Sequence, residues 1–261
     1  HDPGIAIVSP PQWGSRGMAL VQAIPATDPS ARATGAVIDR VRAALPAGAL
    51  VGGPVAESHD LDAALAASTP LVIGVVLGLS FLLLMVALQA PVIAALAVVT
   101  NLVATAAAFG VAKWIFQDGV GHSLLGFEPQ GFLDAWAPVF FFAMIFAISM
   151  DYTVFLLSSA KEHWDRTGGN PRAAMVGGMA STGRVIFAAG AVMVTVFTTF
   201  ALSGPLPPKE MGVVLGVAVL LDTALVRLLI LPVLLRLLGT WAWYLPKPLG
   251  RMLPNVRFGH A

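Results

Sequence analysis

Cysteine is absent from the 261 residues, so neither a disulfide nor a thiolate metal site can form. Charge is scarce: Asp, Glu, Lys and Arg make up 11% of the chain, against roughly 25% in an average soluble domain. The 15 basic residues nearly balance the 14 acidic ones, for a formal net charge of +1, and this leaves no basic surplus to hold a nucleic acid. Missing too are an H-x-x-x-H metal pair, a phosphate loop and a nucleophile elbow. The reading is therefore non-enzymatic, with no metal and no cofactor. No ATPase machinery is present, so any pumping has to draw on an ion gradient. Ser80 lies inside an apolar run, "GLSF", and is no active serine. An initiator Met and a charged-then-apolar leader are also lacking, and the chain reads as a piece of a longer polypeptide.

What is abundant is hydrocarbon. Hydrophobic residues form 57% of the chain, which makes this a membrane protein. Residues 1–68 stand apart from the rest. "GIAIVSP", "GMALVQAIPA" and "GALVGGP" read as short strands bounded by Pro and Gly. "DPSARATGAVIDRVRAAL" reads as an amphipathic helix with Asp28 at its N-cap and Pro29 at its first position. Ala36, Val37, Val41 and Leu45 supply the apolar stripe. This β-β-α-β order predicts part of a small α+β domain. About 70 residues is lean for an independent core, so the segment is expected to complete a domain begun upstream.

From Ser68 onward, five apolar runs approach or exceed the ~20 residues needed to cross a bilayer. They are 70–88, 91–116, 135–158, 185–202 and 211–237, within a membrane region 69–238 followed by a tail 239–261. Gln117–Asp134 holds Asp118, Glu128 and Asp134 and no Lys or Arg. Ser159–Arg184 holds Lys161, Arg166, Arg172 and Arg184, and the tail holds Lys247, Arg251 and Arg257. The excess of basic residues places the third loop, Ser159–Arg184, and the tail in the cytoplasm, with the second loop, Gln117–Asp134, on the opposite side and residues 1–68 outside. Asn170–Arg184 reads as a surface helix at the inner interface. "GGMAS" and "FAAGAV" allow close helix packing. His122, His163 and His260 read as solvated loop residues, and Lys113 as snorkelling from the outer end of its span.

Inside "AISMDYTVFLLSS", Asp151 is an acid where acids are rare. A charged side chain at helix centre costs about 2.5–3.5 kcal/mol, so such groups face a bundle interior and mark ion or proton pathways or hydrogen-bond networks. Tyr152 and Ser149 add hydroxyls beside it. The last run carries Asp222 and Arg227. Five residues in an α-helix are roughly 140° apart, a poor pairing, so Arg227 either stretches to the acid or snorkels inward. Asp222 reads equally as relay member or structural partner. Thr195, Thr198 and Thr199 share one helix face, either bonding their own backbone or forming a hydroxyl path.

"SMDYTVFLLS" with "KEHW" after it resembles the tenth transmembrane helix of the mycobacterial membrane protein large (MMPL) family, within the resistance–nodulation–division (RND) superfamily. "KEMGVVLGVAVLLDTALVRLLILPVLLRLLG" resembles that family's last helix, "WYLP" the segment after it, and "VGGPVAESHDL" the entry to its eighth helix. The resemblance runs from about Gly4 to Pro246. It implies a mainly α polytopic bundle, the five-helix RND-type half, preceded by the closing part of an α+β, ferredoxin-like porter subdomain. It further implies a proton-motive-force-driven inner-membrane exporter of lipids, glycolipids or hydrophobic small molecules, with protons as the coupling ion. Asp151 and Tyr152 would be half of a proton relay, Ser149, Asp222, Arg227, Thr195, Thr198 and Thr199 its neighbours or props. The expected partners are the bilayer, the lipid substrate, an amino-terminal half bearing the matching Asp-Tyr pair, and in some arrangements an oligomer. Two rivals stand beside this: a non-transporting scaffold or sensor, and a proton-driven protein-translocation component.

Overall fold

The computed structural model describes residues 2–27, 32–127 and 136–252, and the chain divides into two units, His1–Ser68 and Thr69–Ala261. In the first unit Pro and Gly cut the apolar runs short. The strands are β1 (Ile5–Val8), β2 (Gln12–Trp13), β3 (Ala19–Leu20) and β4 (Ala23–Pro25). β1 pairs antiparallel with β4, Val8 opposite Ala23, and β2 pairs with β3, Trp13 opposite Ala19. Helix α1 (Arg32–Ala44) follows; the expected cap at Asp28 and Pro29 lies outside the described residues. Its buried face is Thr34, Val37 and Ile38, while Ala36 and Leu45 are exposed, so the apolar stripe is rotated from the expected one. The cause is α2 (Pro54–Leu88), whose His59 ring lies over Gly35.

The third expected strand does not form. Gly48 and Gly53 both have φ of +96°, outside the β region at each end of the run, and Leu50 is 96% exposed. Among the described residues, ion pairs of Asp2 with Arg40 at 2.7 Å and of Asp60 with Arg42, and the contact of His59 Nε2 with Asp39 Oδ1 at 2.9 Å, tie this unit together. The Arg40 guanidinium, helped by the Gly4 amide, holds the Asp2 carboxyl down at about 2, and Arg42 depresses Asp60.

Among the described residues, five stretches of helix are long and apolar enough to span a membrane: α2, α3 (Pro91–Ala112) with a π turn (Lys113–Gln117), α5 (Trp136–Arg166), α6 (Pro171–Ala201) and Leu206–Trp243. The short α4 (His122–Leu125) precedes α5. The chain is a multi-pass membrane protein, mainly α. α2 starts at Pro54 and carries Pro70 inside it. α6 starts at Pro171, and no separate surface helix exists at 170–184. Asn170 caps the amides of Arg172 and Ala173 at 3.1 Å, and Pro171 suits the first helical position. Arg184 thus sits within α6, exposed. α5 runs past its apolar part to Arg166 because Lys161–Asp165 and Glu162–Arg166 pair one turn apart. His163 is therefore helical rather than a solvated loop residue, its Nδ1 2.9 Å from the Ser159 carbonyl.

The last span changes helical type. α7 (Leu206–Leu220) leads into a π-helical segment (Leu221–Ile230), then α8 (Leu231–Leu238), a 3₁₀ turn (Gly239–Trp243) and α9 (Lys247–Met252). Pro232 has no N–H, and its ring opposes the carbonyl four residues back, which disfavours regular α closure just before it. The Leu231 amide reaches Val226 instead, five residues away.

The spans meet in two apolar clusters. One gathers Leu88, Ile93, Leu156, Ile186 and Leu231; the other gathers Phe116, Phe141, Ile145, Phe197 and Val214. On each of four spans, buried polar or small residues fall between the two: Thr100, Asn101 and Thr105 on α3, Ser149 and Thr153 on α5, Gly190 on α6, and Asp222, Thr223 and Arg227 on the last span. The bundle therefore has a polar layer at mid-height between two hydrocarbon ends.

Candidate functional site

Arg227 is the centre of that layer. It is 1% exposed, and Asp222 is 4% exposed. The π register brings residues five apart back above one another, so the spacing that is unfavourable in an α-helix becomes a direct ion pair here. Arg227 Nη2 donates to Asp222 Oδ2, to the Ser149 carbonyl, and to Ser149 Oγ at 3.0 Å. Helical side chains lean toward the N-terminus, which carries the guanidinium back toward Asp222, where it also meets Ser149 of α5. Its carbon lies 5.0 Å from the centre of the Tyr152 ring, a cation–π contact. Snorkelling of Arg227 toward the headgroups is thereby overturned: desolvated charge is retained where a partner and hydrogen bonds compensate it.

Asp151 behaves differently. It is exposed on α5, in line with Ala147 and Phe155, and it makes no hydrogen bond or ion pair with a described residue. One turn of α5 cannot turn Ser149, Tyr152 and Asp151 to the same side, and Asp151 takes the outward one. Tyr152 is half-buried and joins Arg227 rather than its neighbouring acid. Thr195, Thr198 and Thr199 are exposed and donate to Ala191, Val194 and Val196 of their own helix. Structure thus brings Ser149, Tyr152, Asp222 and Arg227 together, leaves Asp151 beside them facing outward, and does not join the three threonines to them.

Sequence reasoning passed over Asn101 and Thr105, signalled by "TNLVAT" within an apolar helix, and Thr223 beside Asp222. It also passed over Lys209, 3% exposed, which donates to the carbonyls of Leu125 and Gly126 with Nζ 5.9 Å from the Phe127 ring. Lys113 pairs with Asp118 at 3.7 Å. At the other end Trp164 stacks on Trp243 at 4.9 Å, tying the close of the last span to α5. His122 sits in α4, exposed, and His260 lies outside the described residues. Among the described residues no three His, Cys, Asp or Glu side chains form a metal-binding group.

Comparison with known families settles the class. The MMPL family profile matches residues 17–256. The chain belongs to the MMPL family. Over 98% of its length it is 35% identical to the heme uptake protein MmpL11 of Mycobacterium tuberculosis. It is equally similar, 35% over 98%, to the mycolic acid-containing lipids exporter MmpL11 of Mycolicibacterium smegmatis. The membrane protein YdfJ of Bacillus subtilis is 30% identical over 97% of the chain. The chain spans 27% of the length of each MmpL11 relative and 35% of YdfJ.

Proposed function

We propose that the chain is the carboxy-terminal half of a proton-motive-force-driven inner-membrane exporter of lipids, glycolipids or hydrophobic small molecules, with Asp151 taking up and releasing the coupling proton. The observation that carries this is the exposure of an unpaired carboxylate in the middle of a span. Facing lipid, it would cost about 2.5–3.5 kcal/mol, so protein or water has to cover it. An amino-terminal half bearing a matching Asp-Tyr pair is the cover we infer, and the short coverage of the relatives agrees with it. Protonation would remove the charge of Asp151, change its pairing across that interface, and shift the helices that alternate access. Tyr152 lies between Asp151 in sequence and Arg227 in space, which supports a relay reaching the buried pair. The amino-terminal unit is read as porter domain and the tail as cytoplasmic.

The substrate class rests on the relative named as a mycolic acid-containing lipids exporter, and the relative named for heme uptake supplies a second ligand to try. The test uses the full-length protein in membranes. D151N should insert at normal abundance and lose pH-gradient-driven movement of a mycolic-acid-containing lipid and of heme. Surviving transport would leave Asp151 a hydrogen-bonding prop and return the scaffold reading.

A further inference from the structure

Membrane threonines of this chain mostly turn inward on their own backbone. Thr100, Thr105, Thr153, Thr182, Thr195, Thr198 and Thr199 each donate to a carbonyl three or four residues earlier, at 2.6–3.1 Å. Thr223 does not. Its Oγ1 is buried without a hydrogen-bond partner among the described residues, at the start of the π segment where the widening turn displaces the usual acceptor. Its seat is defined by α6, because a Cβ on Gly190 would lie 2.8 Å from both Cγ2 and Oγ1 of Thr223. Thr223 and Arg227 are four residues apart, neighbours on one side of the helix. The turn of the π segment just before Arg227 therefore carries both a carboxylate, Asp222, and a free hydroxyl, Thr223. A guanidinium carries five N–H donors and no acceptor. Here Nη2 is engaged, while Nε and Nη1 are buried with no partner among the described residues.

We propose that Thr223 is a positioning residue for the buried pair: when Asp222 carries a proton and releases Arg227, the Thr223 hydroxyl accepts from the Nε or Nη1 side of the guanidinium and keeps it in the core. The inference rests on the relay reading above. A hydroxyl has two acceptor lone pairs, so Thr223 is able to take an N–H of the guanidinium. The ionisable groups of α5 near the pair are Tyr152, whose ring meets the guanidinium, and Asp151, whose charge acts on Arg227 from the outward face of the helix. α6 presents Gly190 there, and α3 contributes only uncharged Thr100, Asn101 and Thr105 to this layer.

The experiment compares T223V, which keeps the shape and removes the hydroxyl, with T223S, which keeps the hydroxyl and removes the methyl. Both are made in the full-length protein, reconstituted in vesicles, and assayed for gradient-driven lipid transport across pH. Loss of the alternative acceptor disfavours the protonated state, so T223V should move the midpoint of the pH profile about one unit lower, and T223S should restore it. G190A, which crowds the hydroxyl, should shift the midpoint in the same direction and serves if T223V fails to insert. An unmoved midpoint in T223V, or an equal defect in T223S, overturns the proposal. D222N separates the two levels: normal transport in D222N sinks the relay through this pair, whereas an inactive D222N beside a silent T223V sinks only the role of Thr223.

Discussion

Asp151 and Asp222 are acids of the same membrane region with opposite surroundings. Asp222 is enclosed, paired with Arg227 on its own helix, and braced through Ser149 of α5. Asp151 is exposed and has no described partner. The first acid is satisfied by the chain's own helices; the second is left for something beyond them. A buried charge reports on how a bundle is held, and an exposed one at the same depth reports on what the bundle must meet.

Removing a partner from the enclosed acid should have the largest effect. R227A leaves Asp222 buried and unpaired, and its stability in detergent, read by thermal unfolding, should fall by about 3–5 kcal/mol. The double variant D222L/R227M should recover most of that stability while transport stays lost. G212A comes next. A Cβ there would lie 2.2 Å from the Ala201 amide and 2.5 Å from the Phe197 carbonyl, so α6 and α7 must separate, at about 1–3 kcal/mol. D151N should leave the unfolding midpoint within about 0.5 kcal/mol of wild type, and equal losses in D151N and R227A would erase the contrast. T198V is smaller still in its consequences, since an exposed hydroxyl already bonded to Val194 contributes little; normal abundance and transport are expected.

A third acid calibrates the other two. Asp2 is held at about 2 in the folded chain against an ordinary 3.8. A depressed carboxyl stabilises above its unfolded value, so its contribution is complete above about pH 4 and fades as pH falls toward 2. D2N should remove that acid-limb dependence in the titration of the amino-terminal unit, and no change in it would show that the Arg40 contact is idle.

The spans were legible because length and hydropathy are written directly in composition. Helix ends were legible where caps were weighed and missed where they were not: Asn170 and Pro171 announce α6 fifteen residues before its apolar part. The Gly48–Pro54 run looked strand-like because propensity ignores backbone signs, and two glycines with positive φ decide against it. The pairing of Asp222 with Arg227 was hidden by the assumption of α geometry; Pro232 was the available clue that the register changes. The outward turn of Asp151 was not legible from the residues themselves, since burial depends on which neighbouring helices a face meets; only the family resemblance, with its partner pair on another half, pointed that way.

The π-helical pairing also bears on how the chain enters its bilayer. Each central charge opposes release from the translocon by about 2.5–3.5 kcal/mol. Asp222 and Arg227 meet within one segment, so the last span can neutralise its own charges as it folds, before any other helix arrives. The span bearing Asp151 has no such internal remedy, and its admission to lipid has to await company.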